Sequence, residues 1–353
     1  MRQQNNFSAF ARSYCGAWLL PLCLVSVFPL RGQEQDPYVK AVAAFQQREY
    51  GRAAELFQKA ETNSPGITDS LLYEGKCYVH LQRFAEAENT LRHFVAANPG
   101  SADAMYLLGY VLNRENKPKE SLEIYTKAAA ITRPSGDDLK VVALDYELLN
   151  DNSDAIHWLE RAVALEEKNT EAWYFLGRTY YTSGRLPEAR RAFEKVLELD
   201  PHNAKAKNNL GLIEESSGKL EEALAAYRNA IAWQGGIEHK SEQPYLNLGS
   251  LLITEERAAE AIAPLQTAVA LASGNAQCRL RLGTAYMRVG KLAEAQKELE
   301  EAVRLDPQDA VAHYQLGRYY KEVKKMDAAQ AEFRRVAELQ SRAVEEQKKP
   351  LEK

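Results

Sequence analysis

The stretch WYFLGRTYYTSGRLPEARRAF, residues 173–193, returns in outline as LGTAYMRVGKLAEAQKEL, residues 282–299. In both, a tyrosine follows the Leu-Gly glycine by three residues, a second glycine comes four later, and an alanine five beyond that. Few of the residues between these fixed points agree, so what is shared is a spacing. Followed along the chain, Gly75, Gly109, Gly177 and Gly211 lie on one 34-residue register, with Ala143 in the remaining slot. Gly249, Gly283 and Gly317 keep that period on a second register displaced by four residues. An insertion therefore lies between Gly211 and Gly249, and the turn-rich WQGGIEHKSEQ (233–243) is its expected place.

A second column keeps the rhythm: Ala53, Ala87, Ser121, Ala155, Ala189, Ala223, Ala261, Ala295 and Ala329. Four residues after each stands a large apolar residue, from Phe57, Leu91 and Tyr125 through Leu159, Phe193 and Tyr227 to Leu265, Leu299 and Phe333. Each period reads as two helices. Asn169 is the expected N-cap of a helix over Thr170–Thr182, and Gly184 the left-handed stop. Pro187 sits in the first turn of a second helix that reaches about Leu199, before the Asp200-Pro201 turn. Ser101, Asn203, Asn275 and Asp309 occupy the same capping slot elsewhere. Glycine and alanine let two helix backbones approach closely, and the large residue fills the gap beside them.

Trp173, Leu176, Gly177, Tyr180, Ala189, Phe193 and Pro201 together resemble the tetratricopeptide repeat pattern. The resemblance implies an all-α solenoid, a right-handed superhelix of about nine helix-turn-helix units. Its expected divisions are 34–67, 68–101, 102–135, 136–169, 170–203, 204–241 with the insertion, 242–275, 276–309 and 310–343, then a polar tail over 344–353. The first unit departs from the pattern, with Ala41 in the glycine slot, and is marked mainly by REYGRAAELFQKA and Pro65. The fourth lacks both glycines and is expected to turn through Asn150–Ser153. At the other end, QAEFRRVAELQSRAVEEQKKPLEK continues the last helix past its usual length, polar outside, until Pro350.

The resemblance also implies that first helices line a concave face holding an extended peptide or a partner's helix. The candidate binding residues on that face are Tyr106, Tyr110, Arg114, Tyr174, Arg178, Tyr181, Asn209, Asn247, Arg281, Arg288, Tyr314 and Arg318. Tyr73, Lys76, His80, Asn113 and Lys321 extend the set. Tyrosine, arginine and asparagine are residue types that serve protein interfaces well. Asn209 and Asn247 stand before Leu-Gly in consecutive units, where related proteins clamp peptide amides with asparagine. Arg281 follows Asn247 by one repeat, but no complete clamp for a C-terminal carboxylate is present.

Residues 1–33 differ from the rest. Three arginines and no acidic residue accompany a short apolar run, AWLLPLCLVSVFPL (17–30), too short to cross a bilayer comfortably. This fits a secretory signal peptide cleaved near Arg31–Gln35, or an uncleaved inner-membrane anchor. An exported protein, periplasmic or secreted, is expected. Beyond the leader 42 basic residues face 49 acidic ones, a net of −7 that argues against a phosphate-backbone reader. Cys77 and Cys278 are expected as small core residues, and no Cys-x-x-Cys suggests structural zinc. Six scattered histidines have no ligand spacing, and no nucleophile elbow, phosphate loop or dinucleotide fingerprint occurs. No catalytic residue, cofactor or metal is expected, since repeats take up nearly all of the chain after the leader.

The function expected from these features is a non-catalytic protein-binding adaptor or assembly scaffold of the cell envelope, with a protein or peptide partner and no nucleic acid. The alternatives are a self-associating scaffold whose groove is unused and a regulatory subunit of an enzyme on another chain.

Overall fold

The structure, a computed structural model, describes residues 36–63 and 69–348. The leader, Pro65 and Pro350 lie outside those residues. Among the described residues there are eighteen α-helices and no strand. They run α1 Pro37–Gln46, α2 Tyr50–Asn63, α3 Asp69–His80, α4 Phe84–Ala97, α5 Ala102–Arg114 and α6 Pro118–Ala129. Next come α7 Gly136–Leu148, α8 Asn152–Leu165, α9 Thr170–Thr182, α10 Leu186–Leu199, α11 Ala204–Ser216 and α12 Leu220–Trp233. The last six are α13 Gln243–Thr254, α14 Ala258–Leu271, α15 Ala276–Arg288, α16 Leu292–Leu305, α17 Ala310–Glu322 and α18 Met326–Lys348. Odd-numbered helices open the helix-turn-helix units of the solenoid and even-numbered helices close them. The chain divides into two compact bodies between Ala192 and Phe193, inside α10.

Within each body, helices pack on their sequence neighbours from α1 through α9 and from α11 through α18, and first helices also pack on one another. In the first body α5 meets α7 and α7 meets α9; in the second α11 meets α13, α13 meets α15 and α15 meets α17. No pair of consecutive second helices makes comparable contact among the described residues. The first helices thus form a layer over α5, α7 and α9 in the first body and over α11, α13, α15 and α17 in the second.

The two sequence columns meet inside the units. A Cβ added at Gly75, Gly109, Gly211, Gly283 or Gly317 would sit 2.5–2.8 Å from Leu91, Tyr125, Tyr227, Leu299 or Phe333 respectively. No carbon approaches a Cβ that closely, so at these five crossings a side chain in place of glycine would push the large residue of the second helix aside, whereas Ala41 and Ala143 fill the same slot in the first and fourth units. The alanine column is almost wholly buried, and Phe57, Leu91, Leu159 and Tyr227 are fully buried with it. The thiols of Cys77 and Cys278 share the core, and burial pushes the Cys278 thiol up to about 12, with Glu242 adding to the effect.

The caps follow the sequence at most sites. The Asn169, Asn203 and Asp309 side chains accept from Ala172 N (2.9 Å), Ala206 N (2.9 Å) and Val311 N (2.8 Å). Ser101 holds the cap position of α5, but its side chain makes no capping bond. Between the two helices of each unit one residue has positive φ: Arg48, Gln82, Asn116, Asn150, Gly184, Gly218, Glu256, Gly290 and Lys324. Six of the nine are not glycine, and each accepts the strain of about 1 kcal/mol that a side chain brings to the left-handed region. In the fourth unit the turn is thus shorter than expected: it is made at Leu149–Asn150, Asp151 caps α8, and Ser153 already lies in the helix.

The insertion falls between α12 and α13. Buried Gln234 holds it, accepting from Ser241 N (2.5 Å) and donating to Ser241 O (3.3 Å). The final helix α18 is 23 residues long, well beyond the 12–14 of the other second helices. Among the described residues no helix is long and apolar enough to cross a membrane.

Candidate functional site

On the first-helix layer of the first body, two of the tyrosines expected at the surface belong to the core. Tyr106 and Tyr110 are buried as α5 and α7 close together. The Tyr106 hydroxyl donates to Thr132 O at 2.5 Å and its ring packs 5.7 Å from that of Tyr125. Burial pushes the Tyr110 hydroxyl up to about 12, despite the Arg114 guanidinium beside it. Arg114 itself lies 5.1 Å over the Phe84 ring. Tyr174, Arg178 and Tyr181 are half-buried on α9. Arg178 lies 5.4 Å over Phe175 and 4.0 Å from a Glu147 carboxylate oxygen. Aromatic faces and carboxylates therefore take up the cations of this layer.

Two clusters there escaped sequence reading. Lys140, with its side chain only 3% exposed, places Nζ 2.9 Å from Asp137 Oδ1 and 2.6 Å from Glu171 Oε2. Burial alone would lower the lysine's pKa, but Glu171 and Asp137 outweigh it and hold the ammonium charged. Asn169 Nδ2 donates to the same Asp137 oxygen at 2.9 Å, tying the fifth unit to the fourth. In the second cluster fully buried Asp145 receives Asn113 Nδ2 (2.8 Å) and lies 2.5 Å from Ser121 Oγ, which also lies 2.8 Å from Gly109 O. Burial pushes the Asp145 carboxyl up to about 7, against the pull of these hydrogen bonds. The buried Tyr125 hydroxyl lies in the same region, with no hydrogen-bond partner.

In the second body, Asn209 donates back to Lys205 O of its own helix at 2.8 Å. The neighbouring Asn208, buried and absent from the sequence reading, accepts instead from Asn247 Nδ2 at 2.9 Å and joins α11 to α13. Asn247 also accepts from Gln243 at 3.0 Å. Further along, Arg281 is half-buried, and exposed Arg288 donates to Ile253 O. Tyr314 is 47% exposed with its ring 6.0 Å from Phe333, and Arg318 is exposed with a 3.3 Å bond to Gln315. These last residues form the open part of the layer.

No group of three or more metal-ligating side chains occurs among the described residues. A cleft of about 220 Å³ lies on the other side of the fifth unit, lined by Trp173, Leu176, Val163, Tyr180 and Ala192 and rimmed by Glu160, Glu188 and Arg191. Its Tyr180 hydroxyl is already bonded to Glu160 at 2.5 Å.

Models of the tetratricopeptide repeat match residues 38–68, 69–136, 143–190 and 176–237, then 252–310 and 310–342. A 37-residue segment is 54% identical to the cytochrome c-type biogenesis protein CycH of Pseudomonas aeruginosa, and takes in 10% of this chain and 9% of that protein. Among solved structures, a tetratricopeptide repeat protein of Parabacteroides merdae aligns with a TM-score of 0.57 at 18% identity, over 71% of this chain and 98% of that one. The APC/C hetero-tetramer Cut9–Hcn1 gives 0.59 at 17%, covering 82% of this chain and 57% of that chain. PilW, a type IV pilus biogenesis factor, gives 0.51 at 20%, covering 58% and 92%. At such identities the likeness is one of fold. With the repeat models spread over more than half of its length and its helix pairs in the same phase, the chain belongs to the tetratricopeptide repeat family.

Proposed function

We propose that this protein is a non-catalytic interaction module, an adaptor or assembly scaffold of the cell envelope, that takes a peptide or helix of a partner on its first-helix face. One observation carries the reading: α17 in the second body presents Tyr314 and Arg318 to solvent, where packing of the units does not consume them. Exposed tyrosine and arginine supply contact area and directed hydrogen bonds, the tyrosine at low entropic cost. Proteins of this repeat family are generally non-catalytic interaction modules. The envelope setting is supported by the basic-apolar leader and by the short likeness to a cytochrome c-type biogenesis protein.

Affinity capture from an envelope extract tests this, using the full chain beside a Tyr314→Ala/Arg318→Ala variant. The expected outcome is a protein partner held by the parent and lost by the variant at unchanged helicity. A partner held equally by both moves the contact off these residues. A stable oligomer that survives dilution with no partner captured favours the self-associating scaffold.

A further inference from the structure

We propose that the strip formed by α15 and α17 binds an acidic, extended segment of a partner protein. This rests on the first-helix face being the binding face, and adds where on it the partner lies and with what chemistry. The two helices pack on each other and carry five lysines and arginines against a single carboxylate, Glu322. Of the five, Arg279 is held in a 2.7 Å pair with Glu298 and Arg288 donates to the carbonyl of Ile253. Arg281, Arg288, Arg318 and Lys321 make no ion pair among the described residues, and the last three are exposed.

The first body shows that this is not the rule for the layer. There Lys140 is held by two carboxylates and Arg178 lies beside Glu147. The chain beyond the leader carries a net of −7, so a strip of unpaired cations runs against its overall charge. Such a strip attracts carboxylates and repels basic segments.

The strip also has an apolar end. Val311 and Tyr314, 52% and 47% exposed, continue Arg318 and Lys321 along one side of α17 at spacings of three, four and three residues. In preceding units the residue equivalent to Tyr314 is buried, as Tyr106, Lys140, Asn208 and Leu280 are, or half-buried, as Leu72, Tyr174 and Leu246 are. From Val311 to Lys321 the helix rises about 15 Å, which an extended chain covers in about five residues. The fitting ligand therefore has one large apolar side chain, for Val311 and Tyr314, and two or more acidic side chains within about the next five residues.

The test is fluorescence anisotropy of the full chain with labelled peptides. One carries a phenylalanine followed closely by two glutamates in a serine background, the second has glutamines and the third lysines in place of the glutamates. The acidic peptide is expected to bind about tenfold or more tightly than the glutamine peptide, to weaken with salt, and to leave the lysine peptide unbound. Arg318→Glu/Lys321→Glu, both at exposed sites, is expected to lose the acidic peptide by about tenfold or more at unchanged helicity. Equal binding of the acidic and glutamine peptides, or an unaffected double variant, overturns the inference. So does polyuridylate competing as well as the peptide, which makes the strip a general polyanion site. If the double variant still holds the acidic peptide while Tyr174→Ala/Arg178→Ala/Asn209→Ala loses it, the first-helix face stands as the binding face and this strip does not. If the acidic peptide fails to bind at all, the inference falls, while a partner captured from the extract keeps the broader reading.

Discussion

Replacing Lys140 by alanine is expected to destabilise the protein by about 3 kcal/mol or more, the magnitude for breaking one member of a buried ion pair. Its ammonium lies between Asp137 and Glu171, whose side chains are 10% and 26% exposed. Removing it takes the ammonium partner from an Asp137 carboxyl group that is nearly out of reach of water, leaving Asn169 of the fifth unit still donating to it. Glu171 has room to turn toward solvent, which places the expected loss at the low end of the about 3–5 kcal/mol range. Lys140→Met keeps most of the volume and removes the charge, so it is expected to lose nearly as much. Urea unfolding followed by helical circular dichroism measures both. A methionine variant as stable as the parent would mean that packing, not charge, matters at this joint.

Stability is also expected to fall as pH rises from about 4 to 7, because Asp145 holds its proton in the folded state. The Asn113 amide donates to the carboxyl and favours its ionised form, whereas the geometry at Ser121 fits a protonated one. Ser121 has a single hydroxyl proton, and with Gly109 O 2.8 Å away as an acceptor, the 2.5 Å Ser121–Asp145 bond is best made by a proton on Asp145. Burial raises the folded carboxyl to about 7 from a reference of 3.8. Between these values the native state binds a proton that the unfolded chain has released. The stabilising effect is therefore full below the unfolded pKa, declines through the window, and is gone once the folded pKa is passed. Roughly three pK units correspond to on the order of 3–4 kcal/mol. Asp138, pushed up to about 7 mainly by burial, acts with the same sign. Asp145→Asn is expected to remove its share of the slope and to be at least as stable as the parent at pH 8. A parent that gains stability from pH 5 to pH 8, with the asparagine variant weaker at pH 8, would reverse the assignment.

The fold was legible because its determinants are local and periodic. Glycine, alanine and a large apolar residue recur at fixed intervals, and each trio closes one helix pair, as Gly211 and Tyr227 do. Caps at Asn169 and Asn203 needed only their own helix. The candidate site was less legible because side-chain direction depends on how one unit leans on the next. Asn208 and Asn209 are adjacent in sequence, yet 100° apart around the helix; only the first reaches Asn247. Tyr106 and Tyr110 read as surface on an isolated α5, and become core once α7 covers them. Ser121 was visible as a departure from the alanine column. Its reason, Asp145, stands 24 residues on in the next unit, at a spacing no single-repeat pattern contains.

The most direct measurement of where a partner sits is site-specific photo-crosslinking. Benzoylphenylalanine would be placed in the full chain at Tyr174 and Tyr314 on first helices, and at exposed Glu194 and Arg228 on second helices. The expected result is partner adducts from the first two positions and none from the last two. Adducts from Glu194 and Arg228 alone would place the partner on the second-helix side and contradict the account.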